Sequence, residues 1–270
     1  MNSSFKIYNC VELWHRETSL PSIPTFSQSL DKILGHDGVQ LCTVTELLGL
    51  PGSGKTQICI QLCASVQIPN SLGGLEAEAL YIDTNTHFTP CRFKDIVVAS
   101  LLKCQSVLSF PTVINEEDAL KKLHYVNAFG IEKFCAFIYG LRRFVEEHSN
   151  IRLIVIDSIA FPFKEGISPG QRTGLLFRLM ADLQRLAMEK QIAVSKQVVL
   201  TNEMSTRVGL STGSVVGSLG DAWAHRCNKR VLLSVASHSS ERLALSLKSN
   251  TAYNNVARFK ITQEGIRDVE

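Results

Sequence analysis

The sequence lacks a long hydrophobic run. No apolar stretch of the 270-residue chain approaches the roughly 20 residues that a helix needs to span a bilayer. Residues 1–20 mix charged and polar side chains with apolar ones, so the continuous hydrophobic segment of a signal peptide is also missing. These absences predict an intracellular protein that is not inserted in a membrane.

Paired cysteine motifs are absent too. The eight cysteines include no C-x-x-C pair, and most stand inside apolar patterns. This usage is typical of small core residues in a reducing compartment. Cys59 and Cys63 share a helix face by their spacing, but no histidine or second cysteine pair completes a zinc-binding set. We therefore expect no structural zinc.

Extreme charge is missing as well. The chain carries 28 basic and 25 acidic residues, for a net charge of +3, and 45% of its residues are hydrophobic. Its composition is that of an ordinary globular protein, and its length allows one large domain or two small ones. A weakly basic balance is compatible with nucleic acid binding but does not indicate it.

What the sequence does contain is a phosphate-binding pattern between an apolar run at 41–48 and a helical pattern at 58–66. Its residues fit G-x-x-x-x-G-K-[ST]: Gly49, Leu50, Pro51, Gly52, Ser53, Gly54, Lys55 and Thr56. In such a loop, backbone N–H groups surround the phosphates, the lysine adds a cation, and the next helix directs its N-terminus at the anion. A plain glycine-rich turn is the alternative, and the strand, loop and helix order argues against it.

A second nucleotide signature lies at the end of the apolar segment 151–157. This segment ends in Asp157, and in phosphate-loop enzymes an aspartate in that position holds magnesium together with the loop threonine. A strand that ends in aspartate is common by itself. Because Lys55 and Thr56 are also present, we predict that Thr56 and Asp157 form a Mg²⁺ site.

Strand and helix patterns alternate along most of the chain. Strands are predicted at 41–48, 79–83, 123–126, 151–157 and 198–202, and helices at 27–34, 58–66, 90–108, 131–147 and 172–190. Antiparallel strands are predicted at 230–236, 242–248 and 257–262. The pattern predicts an α/β fold with a mostly parallel, twisted sheet that has helices on both faces. Residues 1–24 read as a tail or linker and residues 25–270 as one core.

Two long loops leave the carboxyl ends of predicted strands, at 158–171 and 203–221. Ligands of open α/β sheets bind on that side, and loops of this length are usually functional or disordered. Lys164, Arg172 and Arg207 supply some positive charge there. The only aromatic residues that could stack on bases in these loops are Phe161 and Phe163.

The ordered set of motifs resembles the ATPase core of the eukaryotic RecA-type strand-exchange recombinases, the Rad51 paralogues. The resemblance covers about residues 24–268. It rests on 26–34, 49–62, 81–88 with Arg92, 153–163, 200–204, 219–225, 259–261 and 265–268. Among the paralogues, residues 66–69 and 156–163 are most similar to the C-type paralogue, a recombination mediator.

The resemblance implies a RecA-like fold, with ATP held by residues 49–56, its adenine stacked on Arg92, and Mg²⁺ on Thr56 and Asp157. It also implies DNA contacts from the two loops. For Arg92 a surface helix arginine is the alternative, although a planar guanidinium suits stacking.

The chain departs from the family pattern in its catalytic positions. Asn85 stands where the family has a glutamate that activates water, and an amide cannot take a proton from water. Glu203 stands where the family has a γ-phosphate-sensing glutamine. Whether Glu203 replaces the missing base stays open, since a carboxylate there would also repel the γ-phosphate. The lead-in is too short for the family's N-terminal DNA-binding domain and carries no clear oligomerisation hook, and 194–197 adds residues before a strand.

The resulting hypothesis is an ATP-binding mediator of homologous recombination in DNA repair, and by extension in meiosis. It would act in a nuclear complex with other recombinase paralogues and single-stranded or branched DNA, with a cytoplasmic pool also allowed. Hydrolysis would be weak, with Lys55 and Glu203 as its catalytic residues. The alternatives are a DNA-dependent ATPase that forms its own strand-exchange filaments and a scaffold that does not need nucleotide.

Overall fold

A mixed sheet organises the molecule in a computed structural model that describes residues 7–35, 37–106, 115–164, 166–188, 196–206, 215–236, 240–249 and 256–269. Its nine strands span Val44–Gly49 (β3), Glu78–Asp83 (β4), Leu123–Asn127 (β5), Ile151–Asp157 (β6), Gln197–Asn202 (β7), Lys229–Val235 (β10), Glu241–Lys248 (β11), Val256–Thr262 (β12) and Gly265–Asp268 (β13). Across the sheet they follow the order β13-β12-β11-β10-β3-β7-β6-β4-β5. Two small antiparallel pairs join Ser22–Ile23 (β1) with Val39–Gln40 (β2), and Met204–Thr206 (β8) with Val215–Gly217 (β9).

Helices cover both faces of the sheet. They span Cys10–Thr18 (α1), Gln28–Leu34 (α2), Lys55–Ser65 (α3), Pro90–Gln105 (α4), Glu116–Lys121 (α5), Ile131–Glu147 (α6), Pro169–Met188 (α7) and Asp221–Ala224 (α8). In β6, Leu153 and Val155 pack in the cluster that contains α3 and α4, whereas Ile154 and Ile156 pack in the cluster that contains α6 and α7. Burial on both sides is why these strands are apolar throughout and not alternating.

The predicted fold class is confirmed, and the central strands lie within a few residues of their predicted bounds. One detail differs. β10 pairs with β3 in parallel, with Arg230 opposite Glu46, and the sheet becomes antiparallel only at β11. The apolar pattern of a strand does not depend on whether its neighbour is parallel or antiparallel, so the parallel pairing of β10 with β3 could not be predicted from the sequence.

Besides the four-residue α8 at the end of the predicted second loop, two helices were not predicted from the sequence. α1 lies in the segment read as a tail or linker, and it begins with a capping box in which Asn9 and Glu12 bond each other's backbone N–H groups. The spacing of a capping box was available in the sequence. The other, α5, has an N-cap at Asn115 and three acidic residues in its first turn.

The first long loop is shorter than predicted. α7 begins at Pro169 and not at 172, because proline is well suited to the first helical position. Residues Phe161–Phe163 within the loop form a 3₁₀ turn. Arg207, two of the loop glycines and residues 194–195 lie outside the described residues.

In the described part of the chain, no helix has the length and apolar character that a membrane span requires. Cys59, Cys63 and Cys227 are buried, as expected for core residues, whereas Cys10 and Cys91 are exposed, contrary to that expectation. Burial raises the pKa of the Cys59 thiol well above its usual value.

Candidate nucleotide site

The predicted phosphate loop connects the end of β3 to the start of α3. Gly54 caps the helix with φ at 103°, and Gly52 has φ at 79°, values that favour glycine. None of the described side chains caps this helix, so the N–H groups of its first turn are available to an anion. A Cβ on Gly54 would also lie 2.9 Å from Ile261 Cδ1. The loop therefore has the backbone geometry of an anion cradle.

Two side chains of the loop, Ser53 and Lys55, are suited to binding an anionic ligand. Ser53 is buried, and its Oγ has no hydrogen-bond partner among the described residues, which is unusual for a buried hydroxyl. Lys55 Nζ donates to the carbonyls of Gly49 at 2.7 Å and Leu50 at 3.1 Å. Burial lowers the pKa of the Lys55 ammonium, and the carboxylates of Asp157 and Glu203 oppose that shift. The chemistry of this donor set fits the phosphates of a nucleotide.

The predicted magnesium pair is brought together. Asp157 is buried at the end of β6, and its Oδ2 accepts a hydrogen bond from Thr56 Oγ1 at 2.7 Å. Tyr81 donates its hydroxyl to the same oxygen at 2.6 Å, and Thr201 donates to Oδ1 at 2.5 Å. Burial raises the pKa of Tyr81 most, and the nearby Asp157 carboxylate raises it further. The Tyr81 hydroxyl therefore stays protonated and acts as a hydrogen-bond donor. The adjacent hydroxyl and carboxylate oxygens are of the kind that Mg²⁺ prefers.

The turn after β4 contains no catalytic base at Asn85. Asp83 instead stabilises this turn, accepting bonds from the backbone N–H groups of Asn85 and Phe88, each at 3.0 Å, and from the Tyr125 hydroxyl at 3.2 Å. The Asn85 amide lies 3.2 Å from His87 Nδ1. The Asn85 side chain is therefore a polar group at this position, but it is not a base that could take a proton from water as a carboxylate could.

Glu203 lies just beyond β7, at the same edge of the sheet as the phosphate loop. Its carboxylate forms an ion pair with Lys164 Nζ at 2.5 Å, and its backbone N–H donates to Asn202 Oδ1 at 2.8 Å. It is close enough to Lys55 to influence the pKa of that ammonium. The sequence did not reveal the pairing with Lys164. A catalytic role for Glu203 stays a prediction.

Arg92 connects α4 to the turn between β12 and β13. Its guanidinium donates to Gln57 Oε1 at 2.7 Å and to the carbonyls of Thr262 at 2.6 Å and Gln263 at 2.5 Å. These bonds lie in the plane of the guanidinium and so do not compete with stacking on its face. Adenine stacking on Arg92 stays a prediction.

The aromatic residues predicted near the first loop separate into two environments. Phe163 is buried against Phe134, with ring centroids 5.9 Å apart, and is unavailable for base stacking. Phe161 is partly buried and lies 6.0 Å from the ring of Phe129, which is 52% exposed. Phe129 was not singled out in the sequence, although it follows β5 at the same edge of the sheet. Any stacking surface here would combine Phe129 and Phe161.

Arg172 joins the start of α7 to the second long loop. It lies in the first turns of α7, and its guanidinium donates to the backbone carbonyl of Ser218 at 2.6 Å. Ser218 in turn donates its hydroxyl to Asn202 Oδ1 at 2.8 Å. Arg172 therefore supports the second loop in addition to supplying charge.

A buried carboxylate lies beneath the site on β3. Glu46 is completely buried and accepts bonds from Asn202 Nδ2 at 2.7 Å and Trp223 Nε1 at 2.9 Å, and it forms an ion pair with Arg230 at 2.5 Å. A carboxylate in an apolar strand was the sequence signal for such a network, since a buried charge requires partners. Glu46 thereby fixes the Asn202 amide, which holds Glu203 and Ser218.

Comparisons with known proteins agree with this site. A family model described as Rad51 matches residues 16–269. The chain is 32% identical to the DNA repair protein RAD51 homolog 3 of Cricetulus griseus over 97% of this chain and 73% of that protein. It is 30% identical to the protein of the same name from Dictyostelium discoideum, over 92% of this chain and 66% of that one. The DNA repair and recombination protein RadA of Aeropyrum pernix is 31% identical over the whole of this chain and 80% of its own length.

These relatives confirm the predicted resemblance to the recombinase paralogues, including the C-type. The sequence pattern of a phosphate loop at residues 49–56, with Asp157 beside Thr56, agrees with that match. Because the family model covers residues 16–269, the chain belongs to the Rad51 family.

Proposed function

We propose that this protein is an ATP-binding mediator of homologous recombination that acts in DNA repair. The hydrogen bond of 2.7 Å between Thr56 and Asp157, directly beside the phosphate loop, carries the nucleotide part of the proposal. The names of the relatives, DNA repair protein RAD51 homolog 3 and DNA repair and recombination protein RadA, support the pathway.

The phosphates, the adenine and the accompanying Mg²⁺ each have candidate partners. Residues 49–56 would surround the phosphates, Thr56 and Asp157 would hold Mg²⁺, and Arg92 would stack on the adenine. When bound, the cation would neutralise phosphate charge at the loop. Tyr81 and Thr201 orient the Asp157 carboxylate and so preorganise its position.

Hydrolysis is proposed to be slow. Asn85 cannot act as a base, and the nearby Glu203 carboxylate accepts a hydrogen bond from Lys164. Lys55 would stabilise negative charge on the γ-phosphate, and Glu203 would take the proton from water. Bound ATP would therefore serve mainly to hold an assembly together.

The proposed partners are other Rad51-family paralogues and single-stranded or branched DNA. Such an assembly would function in the nucleus, in repair and by extension in meiotic exchange. The alternative is a protein that forms its own filaments, since the RadA protein of Aeropyrum pernix matches as much of the chain as the RAD51 homolog 3 of Cricetulus griseus does.

Capture experiments distinguish these functions. Tagged full-length protein is mixed with purified Rad51-family paralogues in the presence and absence of ATP and Mg²⁺. A mediator retains a paralogue with ATP and loses it in Lys55→Ala. Self-association on single-stranded DNA without capture of a paralogue would favour the filament former. Capture that is equal without ATP and in Lys55→Ala would favour a scaffold.

A further inference from the structure

The ion pair between Lys164 and Glu203 joins the segments that leave two neighbouring strands. Lys164 follows β6 and Glu203 follows β7, and their charged atoms lie 2.5 Å apart. The side chains are 47% and 26% exposed. The pair therefore lies at the carboxyl edge of the sheet, where solvent and ligands reach it.

Both residues are attached to well-fixed backbone. Lys164 ends the 3₁₀ turn in which Pro162 and Phe163 are buried, and its Nζ lies 5.1 Å from the centre of the Phe161 ring. The backbone N–H of Glu203 donates to Asn202, and its carbonyl accepts from Ser218 N at 2.9 Å. The two side chains that form the ion pair, in contrast, are partly exposed to solvent.

The same two groups have other potential partners. Lys164 is an exposed cation on the first of the two loops proposed to meet DNA, and phosphates of a nucleic acid backbone bind such cations. A carboxylate oxygen that accepts a bond from an ammonium cannot use the same lone pair to accept a proton from water. Ion pairs with this exposure are weak and are screened by salt, so a DNA phosphate can displace the carboxylate.

We propose that Lys164 is a positioning residue that restrains Glu203 and releases it when a DNA phosphate takes its place. This rests on the proposed function, since it requires ATP at the loop and DNA at the sheet edge. On release, Glu203 accepts a proton from water as the water oxygen bonds to the γ-phosphorus. The bond from that phosphorus to the bridging oxygen breaks, its electron pair leaves with ADP, and the products are ADP and phosphate.

The test measures ATP hydrolysis by the full-length protein with and without an oligo-dT strand. The variants are Lys164→Met, Lys164→Gln, Lys164→Arg and Glu203→Gln, with nucleotide affinity measured for each. Lys121→Met is the matched control, since it removes an exposed lysine paired with Glu117 at 2.9 Å on α5, which leads into the amino end of β5.

Weak ion pairs shift an equilibrium by roughly two- to fivefold, so the DNA-free rate of Lys164→Met and Lys164→Gln should rise about that much. Oligo-dT should then add no further stimulation. Lys164→Arg should keep the low rate and the response to DNA, as should Lys121→Met. Glu203→Gln should be slow under every condition, because it lacks the base.

The measured ATP affinity distinguishes a failure of the proposed restraint from a failure of the proposed nucleotide site. If wild-type protein binds ATP but oligo-dT does not stimulate it, or if both uncharged Lys164 variants keep the wild-type rates, the restraint does not exist. If Lys164→Arg behaves as Lys164→Met does, Lys164 acts by shape and not by charge. Failure of the wild-type protein to bind ATP would instead overturn the nucleotide site itself.

Discussion

Arg230 is the most informative single residue for the stability of the site. It lies opposite Glu46 across the parallel pair of β3 and β10, and it is the cationic partner of that fully buried carboxylate. Replacing it in Arg230→Met removes the charge but keeps an apolar stem of similar length. Among the described residues, Asn202 and Trp223 are then the donors that remain to the Glu46 carboxylate.

The expected loss is large because the charge that remains is buried. Removing one partner of a buried ion pair costs about 3–5 kcal/mol. The Arg230 side chain is 16% exposed, and two neutral donors remain on Glu46, so we expect the lower end, about 3 kcal/mol. Such a loss is a substantial part of the roughly 5–15 kcal/mol that stabilises a typical domain.

Equilibrium urea unfolding, followed by circular dichroism, measures this change. In Glu46→Gln combined with Arg230→Met the buried charge is gone, so most of the stability should return. Arg143→Met, which breaks the exposed pair with Glu147, serves as the control and should unfold at the wild-type midpoint. If Arg230→Met also unfolds at that midpoint, or the double variant recovers nothing, the assigned role of Glu46 is wrong.

Further predictions concern the metal pair, a buried acid and the cysteines. Thr201→Val should raise the Mg²⁺ concentration needed for ATP binding by about 10- to 100-fold, because Asp157 loses a donor; unchanged Mg²⁺ dependence would contradict this. Burial raises the pKa of Asp31 from 3.8 to about 6, so its contribution to stability is present below pH 3.8 and is lost as the pH rises through about 6. The unfolding free energy of Asp31→Asn, measured with urea, should lack this part of the pH dependence, which amounts to about 3 kcal/mol, and an identical pH profile would refute it. Iodoacetamide should label the exposed Cys10 and Cys91 before the buried Cys59, Cys63 and Cys227, as peptide mass spectrometry of timed samples can show; equal rates would count against these burial assignments.

The sequence predicted the parts of the site that depend on local order. The phosphate loop and Asp157 each stand at a strand end in the chain, and parallel pairing brings such ends to one edge. Tyr81, Thr201 and Glu46 were missed as site residues because their roles depend on which strands are neighbours. Phe163 was predicted as an aromatic of a DNA loop, but it is a core residue, since a short turn directs its ring inward.

Glu203 is another residue whose position could be predicted from the sequence but whose partner could not. Its place after β7 is visible in the sequence, and its pairing with Lys164 is not, because the two residues are 39 positions apart and meet only through the pairing of β6 with β7. The sequence indicated Arg172 only as a source of positive charge. In the structure it also donates a hydrogen bond to the backbone of the second loop.

The most direct test of the central claim is a calorimetric titration of the full-length protein with ATP in the presence of Mg²⁺. We expect saturable binding that weakens when Mg²⁺ is removed and that is abolished in Lys55→Ala. Absence of ATP binding by the wild-type protein, or unaltered binding by Lys55→Ala, would contradict it.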